Sequence, residues 1–225
     1  MADTSISKAM SDPEQPPVSS PKPPDSPNPN AKASPKKKGA GNAGPTSTVA
    51  PEMSEYGLKV TNALLKRDHG IICDVLADGW MKQGFKPADL GALIAVMKRY
   101  GKMGDIVGRV SGIVGDVAHD FGVIGVEAAL EAEAVQYLTD ALRNHATDGE
   151  VQFNALYSLR WIAAAGKGNE RPTLAAVANV EDIEMLIEAA VSLYGDDGGI
   201  VEEAGPLLDE VIGKRVRGGV EERKG

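Results

Sequence analysis

The amino-acid sequence predicts an all-α fold, a short solenoid of repeated helices that follows a disordered N-terminal tail. Three observations support this prediction. No long run alternates apolar and polar residues in the manner of a strand, and apolar residues recur at helical spacing through most of the chain. Eleven of the 14 prolines lie within the first 51 of 225 residues, which separates a proline-rich tail from a helical domain.

The clearest helical pattern lies between Asp148 and Ala165. Its apolar residues are three and four positions apart, as on the buried face of an amphipathic helix: Val151, Ala155, Leu156, Leu159, Ile162 and Ala163. The same frame recurs 45 positions earlier and 49 positions later, with one aligned glycine in each turn: Gly104, Gly149 and Gly198. A period of about 40–50 residues with two or three helices per unit indicates a helical solenoid. A helical bundle with similar heptads is the alternative.

The run EVQFNALYSLRWIA, from Glu150 to Ala163, resembles the third helix of an armadillo repeat. The segments Val123–Ala132 and Val135–His145 resemble the helices that precede it in such a repeat, and Thr173–Ile212 follows the same plan. The resemblance covers residues 87–212 well and residues 56–80 only loosely, and HEAT repeats share much of the pattern. It implies a right-handed α-α superhelix whose third helices line a concave, protein-binding groove.

The sequence divides into a Pro/Ser/Lys-rich tail (residues 1–52), a repeat domain (53–213) and a polar C-terminal tail (214–225). The domain is expected to open with a capping pair of helices, the first with an apolar face made of Leu58, Ala63, Leu64 and Leu65. A proline inside the last helix, Pro206, is expected to kink it or displace its start.

The N-terminal tail carries candidate regulatory motifs. It contains no aromatic residue and many prolines, so it cannot bury enough apolar surface to fold. Ser20, Ser26 and Ser34 each precede a proline, and the site at Ser34 resembles a substrate of proline-directed kinases. The lysines 36–38 that follow resemble a nuclear-import signal. A solvated linker without regulatory function is the alternative.

The sequence offers no recognisable catalytic or metal-binding pattern, so we expect no enzyme activity, no cofactor and no metal. The single cysteine, Cys73, excludes an internal disulfide and is expected to be a buried, inert thiol. The histidines His69, His119 and His145 lie near separate turns, without metal-ligand spacing. The GDDGG run around Asp197 lacks the remaining ligands of a calcium loop and is expected to be a solvated turn.

The charge balance bears on the kind of partner. The first 52 residues carry six lysines against five acidic residues, so a chain total of −8 leaves about −9 on the rest. Such a field attracts basic segments and opposes contact with nucleic acid or anionic membranes. No apolar run is long enough for a membrane span and the N-terminus has no apolar signal core. We therefore expect an intracellular, cytoplasmic protein, with nuclear entry through Lys36, Lys37 and Lys38.

Candidate binding residues follow from the armadillo resemblance. In the importin-α type, a tryptophan and an asparagine four residues later hold an extended basic peptide. These two positions fall on the pairs Gly112 and Asp116, Tyr157 and Trp161, and Pro206 and Glu210. No unit has the Trp–Asn pair, so the import-receptor activity is not implied. Tyr157 and Trp161 share one helical face and are either a binding platform or a buried contact with the next unit.

The sequence thus favours a non-catalytic scaffold that binds a segment of another protein. Because the domain is acidic, we expect this segment to contain basic residues. Tyr157, Trp161, Asp116 and Glu210 are the candidate partner-binding residues. A structural subunit packed permanently in a larger assembly is the alternative, and an enzyme of unrecognised type is the third interpretation. The sequence leaves the oligomeric state open.

Overall fold

The computed structural model describes residues 52–165 and 172–221, with side chains described as far as Lys214. In these ranges the chain is entirely helical and has no strand, which confirms the predicted all-α class. Ten α-helices and one 3-10 helix follow in order: α1 (Glu55–Lys66), α2 (His69–Met81), the 3-10 helix (Pro87–Asp89), α3 (Leu90–Tyr100), α4 (Gly104–Asp120), α5 (Val123–Glu131), α6 (Ala134–Asn144), α7 (Gly149–Ala164), α8 (Pro172–Ala178), α9 (Ile183–Leu193) and α10 (Gly198–Glu221).

The predictions made for the N-terminal tail lie outside the described residues. They concern its disorder, the phosphorylation sites Ser20, Ser26 and Ser34, and the import signal at Lys36–Lys38. They remain predictions from sequence.

The internal repeat corresponds to three pairs of helices, α3 with α4, α6 with α7 and α9 with α10. Each aligned glycine, Gly104, Gly149 or Gly198, is the first residue of the second helix in its pair. Aligned apolar positions are buried in all three pairs: Leu93, Leu138 and Ile187 in the first helices, and Ile106, Val151 and Ile200 in the second. The shifts of 45 and 49 residues therefore superimpose structurally equivalent positions.

The second helices of the pairs form the central layer of the domain. α7 packs against both α4 and α10, and α4 also packs against α2. α5 and α8 are the short connecting helices, and each contacts the long helix that precedes it. Functional residues on α2, α4, α7 and α10 can therefore be neighbours although they are far apart in sequence.

Aspartate side chains cap the N-termini of two of these long helices. The Asp148 carboxylate accepts a hydrogen bond from the Val151 backbone N–H at 3.3 Å. The Asp197 carboxylate accepts from the backbone N–H groups of Gly199 and Ile200, at 3.0 and 3.4 Å. Both are N-cap interactions, which satisfy backbone donors at the first turn of a helix. Asp197 thus has a structural role in the GDDGG turn.

The face predicted for α1 is correct at two of its four positions. Ala63 is buried and Leu64 packs half-buried against the core, as expected. Leu58 and Leu65 are instead 52% and 77% exposed, and Val60, which was not predicted, is buried. At the N-terminus of α1 the Ser54 hydroxyl accepts a hydrogen bond from the Gly57 backbone N–H. α1 packs on α2 and α3 with a face that includes Val60, Ala63 and part of Leu64.

The last helix is longer than predicted. α10 runs through Pro206 and past Ile212 to Glu221, so part of the segment predicted as a polar tail is helical. The proline has no N–H to donate to the Glu202 carbonyl one turn earlier. The Arg160 guanidinium on α7 donates to this carbonyl at 3.4 Å and pairs with the Glu203 carboxylate at 2.8 Å. This contact from the neighbouring helix replaces the missing hydrogen bond and allows α10 to continue.

Candidate functional site

Aromatic and acidic side chains of three helices meet at one place, which we call the aromatic–carboxylate face. It consists of Trp80 on α2, Asp116 and His119 on α4, and Tyr157 and Trp161 on α7. Four of these five side chains are half-buried and His119 is exposed. Such partly exposed aromatic residues combine a large apolar area with an accessible polar group, which is typical of protein interfaces.

Asp116 is the centre of this face. Its Oδ2 accepts a hydrogen bond from the Trp80 indole Nε1–H at 2.8 Å, and its Oδ1 accepts from the Tyr157 hydroxyl at 3.2 Å. One carboxylate on α4 therefore links α2 and α7. Both donors are neutral, so neither of them forms an ion pair with the carboxylate.

Two glycines of α4 make room for these rings. A Cβ atom on Gly112 would lie 2.9 Å from Cζ2 of Trp80, and one on Gly115 would lie 2.5 Å from Cδ1 of Tyr157. Glycine weakens a helix by about 1 kcal/mol relative to alanine. Here that cost permits the close approach of Trp80 and Tyr157 to the backbone of α4, which brings both within hydrogen-bonding reach of Asp116.

A matched pair of substitutions in α4 tests this arrangement. Gly115→Ala places a methyl group against Tyr157 and the Ser158 hydroxyl, and we expect it to destabilise the fold by about 1–3 kcal/mol through overpacking. Gly108→Ala meets its nearest atom, Cγ2 of Val151, at 3.5 Å and should instead stabilise by up to about 1 kcal/mol. Urea unfolding monitored by circular dichroism measures both changes. Equal effects of the two substitutions would contradict the proposed role of Gly115.

Trp161 continues the face along α7. Its ring lies edge-on to Tyr157 with centroids 6.3 Å apart, and its centroid is 4.3 Å from that of His119. Phe153, one turn before Tyr157, stacks on it at 6.2 Å. These three aromatic residues at intervals of four form a row on one side of α7. The Trp161 Nε1–H is buried and has no hydrogen-bond partner among the described residues.

The surroundings of the face are negatively charged. Burial, followed by the Asp116 carboxylate, raises the pKa of Tyr157 to about 12, and Asp120 and Glu203 act in the same direction. Asp120 pairs with the His119 imidazole at 2.8 Å. The Tyr157 hydroxyl therefore stays protonated at neutral pH and acts as a hydrogen-bond donor, while the local field favours a cationic ligand.

A shallow pocket adjoins the face between α2 and α4. Its cavity volume is only about 20 Å³, so it is a surface depression, and its lining combines apolar surface with two carboxylates: Gly79, Trp80, Gln83, Phe85, Ile113, Asp116, Val117, Asp120 and Phe121. A side chain with a long apolar stem and a positive end matches this lining chemically.

The structure brings together three of the four predicted site residues. Asp116 bonds to Tyr157, and Trp161 lies beside Tyr157. Glu210 is half-buried on α10 and is not among the groups that these contacts join. Tyr157 packs against α4, in the preceding pair of helices. The sequence interpretation of Tyr157 as a packing residue instead placed its contact with the following unit.

Two members of the face were missed by the sequence analysis. Trp80 lies on α2, which matches the later repeats only loosely, so no alignment placed it opposite Asp116. His119 was assigned only to a turn, although it follows Asp116 by three positions and so shares its helical face. The spacing of Asp116 and His119 was visible in the sequence, so their shared helical face could have been predicted.

The prediction of a buried Cys73 is also corrected. The thiol is half-buried, because it lies at the edge of the contact between α2 and α4. Burial raises the pKa of Cys73, with a smaller contribution from the Asp105 carboxylate, so the thiol is protonated at neutral pH. His69, the residue one turn before it, contacts its sulfur.

Comparison of the chain with protein-family models, with curated proteins and with solved structures finds no match in any of the three. Among the described helices, none is both long enough and apolar enough to cross a membrane.

Proposed function

We propose that this chain is a non-catalytic interaction module that binds a basic, extended segment of a partner protein on the aromatic–carboxylate face. The observation that carries the proposal is Asp116, a carboxylate held between Trp80 and Tyr157 on a partly exposed surface. The arrangement offers a fixed negative charge with aromatic rings on both sides of it.

Lysine and arginine side chains suit this surface for two reasons. A cation over the face of a tryptophan or tyrosine gains about 0.5–2 kcal/mol, depending on how far it is desolvated. Asp116 and Asp120 line the adjoining pocket and attract the positive end of the same side chain. The net charge of about −9 outside the first 52 residues adds long-range attraction for a basic segment.

The extended form of the bound segment follows from the order of the helices. α2, α4, α7 and α10 lie side by side, so a segment that crosses them meets one long helix after another. The repeat of helix pairs supports an armadillo-like solenoid, and in that arrangement the long helices line a common concave surface. Glu210 on α10 would then interact with the far end of the segment.

Binding of peptides to the full chain tests the proposal. Fluorescently labelled peptides with lysine or arginine at alternate positions serve as probes, and peptides with glutamine at those positions serve as controls. Trp161→Ala should weaken binding by about 2 kcal/mol, or about 30-fold, because tryptophan is a frequent anchor of interfaces. Trp161→Phe keeps an aromatic ring and should retain most of the affinity.

Two further variants separate the role of Trp161 as an anchor from two general effects, which are the loss of any aromatic ring and the loss of a negative charge. Tyr137→Ala removes a half-buried aromatic ring from α6, in the other helix layer, and should leave peptide affinity unchanged. Glu210→Gln should lower mainly the association rate and its salt dependence. If Trp161→Ala unfolds the protein, Trp161 is a packing residue and the face loses its anchor. Equal binding of basic and glutamine peptides would reject charge recognition.

A structural subunit is the second candidate, favoured by one surface. Phe121, Val123 and Ile124 are 42%, 60% and 66% exposed where α4 passes into α5. Neighbouring exposed apolar residues often mark a permanent interface. Sedimentation of the isolated chain separates the two candidates, since a scaffold stays monodisperse whereas an exposed permanent interface self-associates.

A further inference from the structure

Three side chains with metal-binding atoms meet between α2 and α4. His69 and Cys73 are four positions apart and therefore share one face of α2, and Asp105 lies in the first turn of α4. The Cys73 Sγ is 3.5 Å from Nε2 of His69 and 3.9 Å from Oδ2 of Asp105. All three ligand atoms lie within 4.8 Å of one another.

These separations are close to those of a zinc site. Zinc binds sulfur at about 2.3 Å and imidazole nitrogen or carboxylate oxygen at about 2.0–2.2 Å, which places tetrahedral ligand atoms about 3.3–3.6 Å apart. The distance from His69 to Cys73 already falls in this range, and both side chains are held by one helix. Asp105 is exposed, so its carboxylate has the freedom to move the remaining distance.

We propose that His69, Cys73 and Asp105 form a binding site for zinc, with a water molecule as the fourth ligand. One nitrogen, one sulfur and one oxygen ligand suit a borderline-soft divalent cation, whereas calcium and magnesium require oxygen ligands. Cys73 binds as the thiolate, so its proton is released to solvent when the metal enters.

The neighbouring charges do not oppose such a cation strongly. The groups that act electrostatically on Cys73 are Asp105, Asp74 and the Arg109 guanidinium. Asp74 offsets the positive charge of Arg109, and Asp105 becomes a ligand. The Tyr100 ring contacts the His69 ring, with centroids 6.0 Å apart, and limits its orientation.

Bound zinc would join α2 to α4 near the start of each helix. The same two helices carry Trp80 and Asp116 further along, so the metal would stabilise the helix pair that builds one side of the aromatic–carboxylate face. Zinc binding does not depend on the proposed peptide binding, and each is measured separately.

Titration of the metal-free full chain with Zn²⁺, in competition with a chromophoric chelator, tests the site. Loss of a ligand in Cys73→Ser or Asp105→Asn should weaken zinc affinity by at least about tenfold. Asp74→Asn is the matched control, because it removes a charge next to Cys73 but no proposed ligand, and it should bind zinc like the wild type. Zinc should also raise the melting temperature of the wild type but not of Cys73→Ser.

Two measurements on the wild type remain informative if a variant fails to fold. Cys73 is the only cysteine of the chain, so its protection from alkylation by Zn²⁺ reports directly on the site. Co²⁺ in place of zinc should give a thiolate-to-cobalt charge-transfer band. Absence of both the protection and the band, or unchanged zinc affinity in Cys73→Ser, overturns the proposal.

Discussion

Leu159→Ala is expected to lower the free energy of unfolding by about 2–5 kcal/mol. The side chain lies in α7, is fully buried, and belongs to the apolar frame shared by the three repeats. Removing it deletes buried apolar surface and leaves a cavity in the helix that packs against both α4 and α10. Neighbouring side chains fill such a cavity only in part, which is why the cost exceeds the transfer free energy.

Urea unfolding of the full chain measures this effect. Leu193→Ala is the matched control, since Leu193 ends α9 with 56% of its surface exposed, and surface substitutions usually change stability by less than about 0.5 kcal/mol. A change in Leu159→Ala no larger than that of Leu193→Ala would mean that the face assigned to α7 is wrong. The repeat alignment that places Leu159 inside would then fail with it.

The core of the repeats was predictable because its information is local. Burial of one face of a helix imposes a spacing of three and four residues, so Val151, Ala155 and Leu159 could be assigned to the interior without knowledge of any neighbour. α1 was assigned only in part: Ala63 and Leu64 lie on the core side as predicted. Leu58 and Leu65 face solvent and gave a misleading apolar pattern.

Only part of each candidate site could be predicted from the sequence, because each site also includes contacts between residues that are far apart in the sequence. Tyr157 and Trp161 could be paired from their spacing within α7. The hydrogen bond from Trp80 to Asp116 joins two residues that are 36 positions apart in the sequence and lie on different helices. No local pattern in α2 indicates this bond. The group around Cys73 combines both cases, since the spacing from His69 was visible in the sequence whereas Asp105 is contributed by another helix.

Replacing a buried carboxylate at the N-terminal end of the helical domain should cause the other large loss of stability. Asp89 ends the 3-10 helix and is fully buried. It accepts hydrogen bonds from the backbone N–H of Ser54 at 2.8 Å, from the Ser54 hydroxyl at 2.5 Å and from the backbone N–H of Lys86 at 2.8 Å. One side chain thus joins the start of α1 to the start of α3, and the capping pair of helices is fastened to the first repeat.

Asp89→Ala should destabilise the protein by about 3 kcal/mol or more. Each buried donor left without a partner costs about 1–3 kcal/mol, and three donors lose theirs. Asp89→Asn keeps the size of the side chain and one acceptor oxygen. Its NH2 group is a donor and would face the donors that the second carboxylate oxygen satisfied, so we expect a loss of stability smaller than that of Asp89→Ala. Asp196→Ala, in an exposed turn, controls for the loss of one negative charge and should be nearly neutral.

Urea unfolding ranks these variants, and amide hydrogen exchange shows where the stability is lost. If Asp89 fastens the cap, exchange in Asp89→Ala should accelerate first in α1 and α2, while α7 keeps its protection. The same opening would release Trp80 from Asp116, because Trp80 lies on α2. A loss of less than about 1 kcal/mol would mean that water satisfies the three donors when the carboxylate is removed, and that the packing of α1 alone holds the cap in place.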